Sequence, residues 1–278
     1  MTQSRKIFDT QLARSRRIKA LKSPEYPDFL DKIIAQELVS RLELIERTFK
    51  TCLIAGPASP VFIDIIKASP KLCNIITQAD IEFSTDWIPF GDDSLDCIIA
   101  PTGLEMSNDL VGTLIQINKA LRPDGLFLGA MFSSATLQEL RHVWLNVEIE
   151  KKDGATPRVI PFSDVRQTGG LLQRAGFGLP VSDMDSFIVR YDGALALMNE
   201  LKTMGLTNPL CDRSHYFCSK NMLKKVEEAY AALFSVPDKR IRATFEINYL
   251  TAWAPHEDQQ KPLKPGSAKQ RLADALKP

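Results

Sequence analysis

Residues 94–132 read SLDCIIAPTGLEMSNDLVGTLIQINKALRPDGLFLGAMF, and the order of signals in this stretch decides the fold. SLDCIIAP, Ser94 to Pro101, is a short apolar run of strand length. NDLVGTLIQINKALRPDG follows as a helix capped near Asn108 or Asp109, with Leu110, Leu114, Ile117 and Leu121 on one face and a stop at Pro123 and Gly125. LFLGAMF, Leu126 to Phe132, is again a strand. Strand, helix and strand in this rhythm predict a parallel sheet with helices packed on it.

The same alternation continues upstream. CLIA, ending at Gly56-Pro57, reads as a buried strand. Ser59-Pro60 then supplies an N-cap and a first helical residue for VFIDIIKAS, because proline there gives up only a donor that would be orphaned anyway. LCNIITQAD, Leu72 to Asp80, is a strand that ends on an acid. In FLDKIIAQELVSRLELI, Leu30, Ile33, Ile34, Leu38, Leu42 and Ile45 keep helical spacing. Residues 1–50 are therefore expected to be a helical segment covering the core. SRKIFDTQLARSRRIKALKSP can be read as a mitochondrial transit peptide or as an amphipathic helix with Ile7, Leu12 and Ile18 near one face and its arginines solvated.

Downstream, a helix is expected from Leu137 to about Glu150, then a polar loop, KKDGATPRVIP, and a helix ending at LLQRAGF with Gly176 as its C-cap. FIVRY reads as a strand, ALALMNELKTMG and NMLKKVEEAYAALF as helices, and RATFEINYLTAWA as a long alternating strand. The organisation expected is an α/β core over 51–254 with helical insertions around 137–175 and 192–234, and a polar tail over 255–278.

With 44% hydrophobic and 25% charged residues, the 278-residue chain has the composition of an ordinary globular protein. Its 35 basic and 34 acidic side chains leave a net charge of +1, so no global field argues for nucleic acid. No apolar run approaches the roughly 20 residues that span a bilayer, and a transmembrane protein is not expected. Five cysteines, an odd number, fit reduced thiols better than a disulfide framework.

Isolated candidates for chemistry are few. Cys211, His215 and Cys218 form a Cys/His cluster without the second pair that a zinc site generally wants, so a loop with buried thiols is the expectation and no metal is assigned. His256, beside Glu257, is either a general base or part of a polar tail that docks on the cleft or a partner. His142 reads as a surface or boundary residue. Thr136, Glu139 and Arg141 follow the Leu126–Phe132 strand, as substrate-facing residues or as capping and ion-pairing groups. Trp87, Trp144 and Trp253 are read as core or boundary aromatics.

Four features, CLIAG, the acid Asp80, WIPFGDDSLDCIIA and INKALRPDGLFLGAMF, lie in the order typical of class I S-adenosylmethionine-dependent methyltransferases, which this chain resembles. PRVIPFSDVRQTGGLLQRAGF, ALALMNELKTMGLTN and IRATFEINYLTAWAPHEDQQKPLKPGSAKQRLADAL are similar to a narrower group: bacterial relatives of the methyltransferase-fold assembly factor of mitochondrial respiratory complex I. A more distant resemblance is to the malonyl-carrier-protein O-methyltransferase of biotin synthesis. The narrower resemblance begins at Ile7 to Asp9, which implies that the basic N-terminus belongs to the folded protein.

What the resemblance implies is a doubly wound, mostly parallel, Rossmann-like sheet of seven strands that binds S-adenosylmethionine at the C-terminal strand ends. Gly56, Asp80, Trp87, Pro101, Thr102 and Gly103 are then the residues expected to meet the cofactor. Asp80 stands either as the acid ending strand two, which holds ribose hydroxyls, or as a displaced acid near the adenine; Trp87 would line the adenine pocket. A protein partner, a respiratory complex subunit, is also implied, with a cytoplasmic location in a bacterium or a mitochondrial matrix location in a eukaryote.

The chain departs from that pattern in its first loop, TCLIAGPASP, Thr51 to Pro60. The family reads approximately LDLGCGTG, which sets Ile54 on the acid, Gly56 on the first glycine, Ala58 on the second and Pro60 on the third. A hydrogen bond to a charged group is worth roughly 1.5–3 kcal/mol, and Pro57 and Pro60 delete two backbone donors and fix φ. At about 1.4 kcal/mol per tenfold, a micromolar site moves toward millimolar. Too few residues lie between Gly56 and Ile88 for the usual helix, strand, helix and strand, so one helix-strand unit is expected to be absent. The expected protein has a weakened or lost cofactor site and acts through protein contacts. The competing expectation is a working methyltransferase or protein-arginine-modifying enzyme.

Overall fold

The computed structural model describes residues 6–77, 88–150, 154–216 and 218–260. Asp80, Trp87 and the tail beyond residue 260 lie outside them.

Two helices come first, α1 (Thr10–Leu21) and α2 (Phe29–Glu43), followed by β1 (Phe49–Ile54), α3 (Pro60–Lys67), β2 (Leu72–Ile76) and β3 (Leu95–Ala100). The chain continues through α4 (Leu110–Ala120), β4 (Leu121–Phe132), α5 (Gln138–Ile149), α6 (Val165–Arg174) and β5 (Gly178–Tyr191). It closes with α7 (Ala194–Thr203), α8 (Lys220–Phe234) and β6 (Ile241–Trp253). The strands form one sheet in the order β2-β1-β3-β4-β6-β5. β2, β1, β3 and β4 are parallel, and β6 inserts antiparallel between β4 and β5. Among the described residues the sheet has six strands, one fewer than the resemblance implies, and no element lies between β2 and β3.

Alternation along the strands builds a core on each face. Cys52, Ile54, Cys97, Ile99, Leu126 and Leu128 point to the side of α2, α3, α5, α7 and α8. Leu53, Ile98, Ala100, Phe127 and Met131 point to the side of α4 and α6. The sheet is thus wound on both faces.

Caps sit where the sequence puts them. Ser59 Oγ accepts from Phe62 N at 3.2 Å ahead of Pro60, Asp109 Oδ1 accepts from Gly112 N at 2.8 Å, and Gly176 follows α6 with φ +82°. Two strands run longer than expected. β4 begins at Leu121, before Pro123 and Gly125, because Leu121 pairs with Leu95 of β3 and Asp124 N and Gly125 O bond Ala254. FIVRY is the end of a 14-residue edge strand, where Pro180 is tolerated at a register shift between Gly178 and Val181.

The N-terminus requires the main correction. The segment Ile7 to Asp9 is built into the fold: Asn108 Oδ1 accepts from Ile7 N and Phe8 N at 2.9 Å each, Asp9 N bonds Pro209 O, and Cys211 N bonds Ile7 O. The buried face of α1 is Ala13, Arg17 and Ala20, whereas Ile7 is exposed and Leu12 and Ile18 are half-buried. Arg17 is not solvated, because Asp31 of α2, the Tyr26 hydroxyl and the Met204 carbonyl replace its water. After α7 the chain touches α1 closely at Gly205, φ +74°, where an added Cβ would lie 2.8 Å from Arg16 O and 2.9 Å from Arg17 Cα. Gly205→Ala is therefore expected to lower stability by about 1–3 kcal/mol, measured by urea unfolding; an unchanged midpoint would show that this approach is not tight.

Candidate functional site

The C-terminal ends of β1 and β3 lie side by side, and the turns leaving them are built on two glycines, Gly56 with φ +130° and Gly103 with φ +136°. A Cβ on Gly56 would stand 3.6 Å from the Pro101 ring, so the two turns are in contact. Of the sequence-predicted cofactor residues, Gly56, Pro101, Thr102 and Gly103 come together here. Asp80 and Trp87 fall outside the described residues. Ala55, Pro57, Ile88, Leu104, Thr113 and Ile117 complete the walls of a space of only about 20 Å³. Pockets that take drug-sized ligands run to about 300–1,000 Å³, far more than this space between the described walls. These walls also offer the methionine ammonium no carboxylate at the end of β1, where Ile54 is fully buried among apolar neighbours.

Helix α1 closes the same region from above. Thr10, Ala13, Arg14 and Arg17 face Pro57, Thr102 and Gly103 across about 30 Å³. Glu105 and Met106, just beyond Gly103, form the far wall of that gap and also border a larger cavity.

This cavity, of about 400 Å³, opens between the end of β4, α5, α7 and the segments around residues 158–162 and 206–214. Most of its wall is apolar, including Phe132, Leu140, Trp144, Phe162, Met198 and Phe245. Its polar groups are concentrated. Glu105 is buried, and its Oε2 accepts from Gly103 N at 2.9 Å. Burial drives its pKa up to about 7, against the opposing pull of the backbone N–H groups of Glu105 and Gly103 and the charge of Arg17. Arg16 donates to Asn208 O at 3.1 Å, and Arg213 donates to Leu210 O at 2.8 Å with Asp9 Oδ2 3.8 Å away. Burial and then the charge of Arg213 push the Arg16 pKa down, with Asp9 opposing, so the two guanidinium groups feel one another. Arg158 is already committed, bonded to buried Glu148 and stacked 4.6 Å over the Trp144 ring.

Other sequence candidates resolve as follows. Thr136 lines the cavity, but its hydroxyl is held by the Glu246 backbone, donating at 2.8 Å and accepting at 3.0 Å. Glu139 is 1% exposed and accepts from Thr244 N and Oγ1, while Arg141 donates to the Ser134 and Thr136 carbonyls. These two are structural groups that tie α5 to β6 and to the preceding loop. His256 is exposed, with its Nδ1 accepting from Asp258 N, and His142 is exposed on α5. The buried thiols are Cys52 and Cys97; Cys211 is exposed and Cys218 half-buried, contrary to expectation, because their loop is polar and lies at the surface. No group of metal-binding side chains occurs among the described residues, and no described helix is long and apolar enough to cross a membrane.

Sequence reading missed Arg16, Glu105, Arg158 and Arg213. Glu105 did carry a signal, a lone acid between Leu104 and Met106 two residues after the turn glycine of β3.

The parallel strands wound on both faces, with the last strand reversed between β4 and β5, define an α/β protein of the methyltransferase-like, Rossmann-like class. No family model matches the chain. Individual proteins do. It is 32% identical to the mitochondrial arginine-hydroxylase NDUFAF5 of Danio rerio over 298 aligned positions, covering 99% of this chain and 91% of that one. It is 31% identical to the human protein of that name, over 94% and 81% of the two chains. A malonyl-[acyl-carrier protein] O-methyltransferase of Halorhodospira halophila is 33% identical over 60% of this chain and 54% of its own. Among solved structures, a Bacillus halodurans methyltransferase candidate superposes with a TM-score of 0.48 at 12% identity, covering 80% of this chain and 99% of that one. The chain belongs to the NDUFAF5 family.

Proposed function

We propose that this chain is an NDUFAF5-family protein whose S-adenosylmethionine cleft is weakened or lost and which acts through protein contacts, in the assembly of a respiratory complex. The observation that carries the reading is the space of only about 20 Å³ beside the Gly56 and Gly103 turns, the strand ends at which the family resemblance puts the cofactor. Ile54 in place of an acid supports it, as do Pro57 in the wall and α1 seated against the turn. A surface for a protein exists on the edge strand β5, where Leu179, Val181, Met184 and Ile188 are each about half exposed; exposed apolar groups on an unpaired strand edge are a common docking feature. In a bacterium this work would take place in the cytoplasm, and in a eukaryote in the mitochondrial matrix.

Calorimetric titration of the full chain with S-adenosylmethionine and S-adenosylhomocysteine, to millimolar ligand, is expected to give no saturable heat. Binding tighter than about 100 μM, near −5.5 kcal/mol, would overturn the lost-cofactor reading. Gly56, Asp80, Trp87, Pro101, Thr102 and Gly103 would then be the residues to test as cofactor contacts.

One observation favours a second reading, an active methyltransferase or protein-arginine-modifying enzyme. Glu105 is a carboxyl with a pKa of about 7 in the wall of a cavity, the state an acid-base group needs near neutrality. Methyl transfer to, or hydroxylation of, a protein by the purified chain, lost in Glu105→Gln, would favour it over the first reading.

A further inference from the structure

We propose that the 400 Å³ cavity is a binding site for an amphipathic anion, a carboxylic acid with an apolar body, whose head is received by Arg16 and Arg213. The inference does not depend on whether S-adenosylmethionine binds, since the cavity is separated from the β1 and β3 turns by Glu105 and Met106. Its size falls in the range of ligand pockets, and its make-up, mainly aromatic and aliphatic with a few converging polar groups, is theirs as well.

The charges in the wall select the head group. Arg158 is neutralised by Glu148 and covered by its stacking on Trp144, which leaves Arg16 and Arg213. Arg16 has only the Asn208 carbonyl as a hydrogen-bond partner among the described residues, and Arg213 has the Leu210 carbonyl with Asp9 at the long distance of 3.8 Å. Asp9, whose Oδ1 caps α1 through Leu12 N at 3.0 Å, faces both guanidinium groups with a single negative charge, so the cluster keeps one uncompensated positive charge. Two guanidinium groups that repel one another, each bonded mainly to a neutral carbonyl, are stabilised by an anion placed between them. A guanidinium fork also matches a carboxylate in geometry better than it matches a neutral head. Glu105, in the same wall, is held by Gly103 N, and with a pKa of about 7 its repulsion of such a ligand weakens as pH falls below 7. Phe132, Trp144, Phe162, Met198 and Phe245 supply the apolar seat.

The test uses the full chain at pH 6.5 and three ten-carbon compounds below their micelle-forming concentrations: decanoate, decan-1-ol and decylamine, titrated by calorimetry. Decanoate is expected to bind saturably at one site, at least about tenfold tighter than either of the others. Arg16→Gln and Arg213→Gln are each expected to weaken decanoate about tenfold and to leave decan-1-ol unchanged. Met198→Trp, which fills the seat without touching the head-group residues, is expected to remove binding of all three while the thermal transition stays cooperative. Should an arginine variant fail to fold, the other variant and Met198→Trp still decide the matter. The proposal is overturned if decanoate shows no saturable binding, if decylamine binds as well as decanoate, or if folded Met198→Trp binds decanoate like the parent.

Discussion

Arg17→Met is expected to destabilise the protein by about 3–5 kcal/mol, the usual consequence of leaving a buried ion without its partner. Arg17 is 7% exposed and Asp31 4%. The guanidinium Nη2 lies 2.8 and 3.0 Å from the two carboxylate oxygens, while Nη1 bonds the Met204 carbonyl and the Tyr26 hydroxyl, which in turn donates to Asp31 at 2.7 Å. Burial alone would lower the Arg17 pKa, but Asp31 and Tyr26 more than offset it and hold the group charged. Methionine retains most of the stem packing and removes the charge, which isolates the cost of abandoning Asp31. In urea unfolding the double variant Arg17→Met, Asp31→Leu is expected to regain most of the loss, since two apolar groups have no desolvated charge to satisfy. Tyr26→Phe should cost only about 1 kcal/mol. If the single variant loses less than about 1 kcal/mol, the pair does not clamp α1 onto α2. The position of α1 over the Gly56 and Gly103 turns would then have to be held by the Phe8 and Gly205 contacts.

This network also marks the limit of what the sequence discloses. Helix starts were legible because capping is local: Ser59 before Pro60 and Asp109 before Leu110 act on residues two or three positions away. The two-sided sheet was legible because parallel strands buried on both faces are continuous apolar runs such as CIIA. By contrast, Arg17 sits in a basic stretch where a solvated guanidinium is the ordinary outcome, and its partner lies 14 residues on in another helix. The early start of β4 rests on its pairing with Leu95 and Ala254, which no local signal around Pro123 records. The turns that carry Gly56 and Gly103 were legible through the family resemblance, since the composition of TCLIAGPASP departs from a glycine-rich loop. The cavity was not, because its wall draws on residues from Arg16 to Phe245; of the polar groups there, only Thr136 had been singled out. A shared wall assembled from five or more separated segments has no periodicity to read.

Glu105 supplies the second large effect, and its sign follows from linkage. The ordinary value is 4.5 and the folded value about 7, so the folded state holds its proton more tightly than the unfolded chain does. Below about pH 4.5 both states are protonated and the burial penalty is absent. Between 4.5 and 7 the unfolded chain releases the proton while the folded one retains it, and stability falls as pH rises. Above 7 the full penalty is present, about 3 kcal/mol for this gap. The other charges that line the spaces on either side of Glu105 are Arg14, Arg16, Arg17, Arg158 and Arg213. All are guanidinium groups that stay charged across this range, so the titration belongs to the carboxyl. Glu105→Gln keeps an acceptor for Gly103 N and cannot ionise. In urea unfolding it is expected to match the parent near pH 4 and to exceed it at pH 8 by about 3 kcal/mol, the difference growing from about pH 4.5 to 7. A difference that is constant from pH 5 to 8 would mean that Glu105 does not titrate in this window. The same carboxyl shares a wall with the anion seat, so decanoate should bind the parent progressively more weakly above pH 7 and Glu105→Gln equally well at pH 6 and pH 8. That outcome would connect the protonation state of one buried side chain to both the stability of the fold and the occupancy of its cavity.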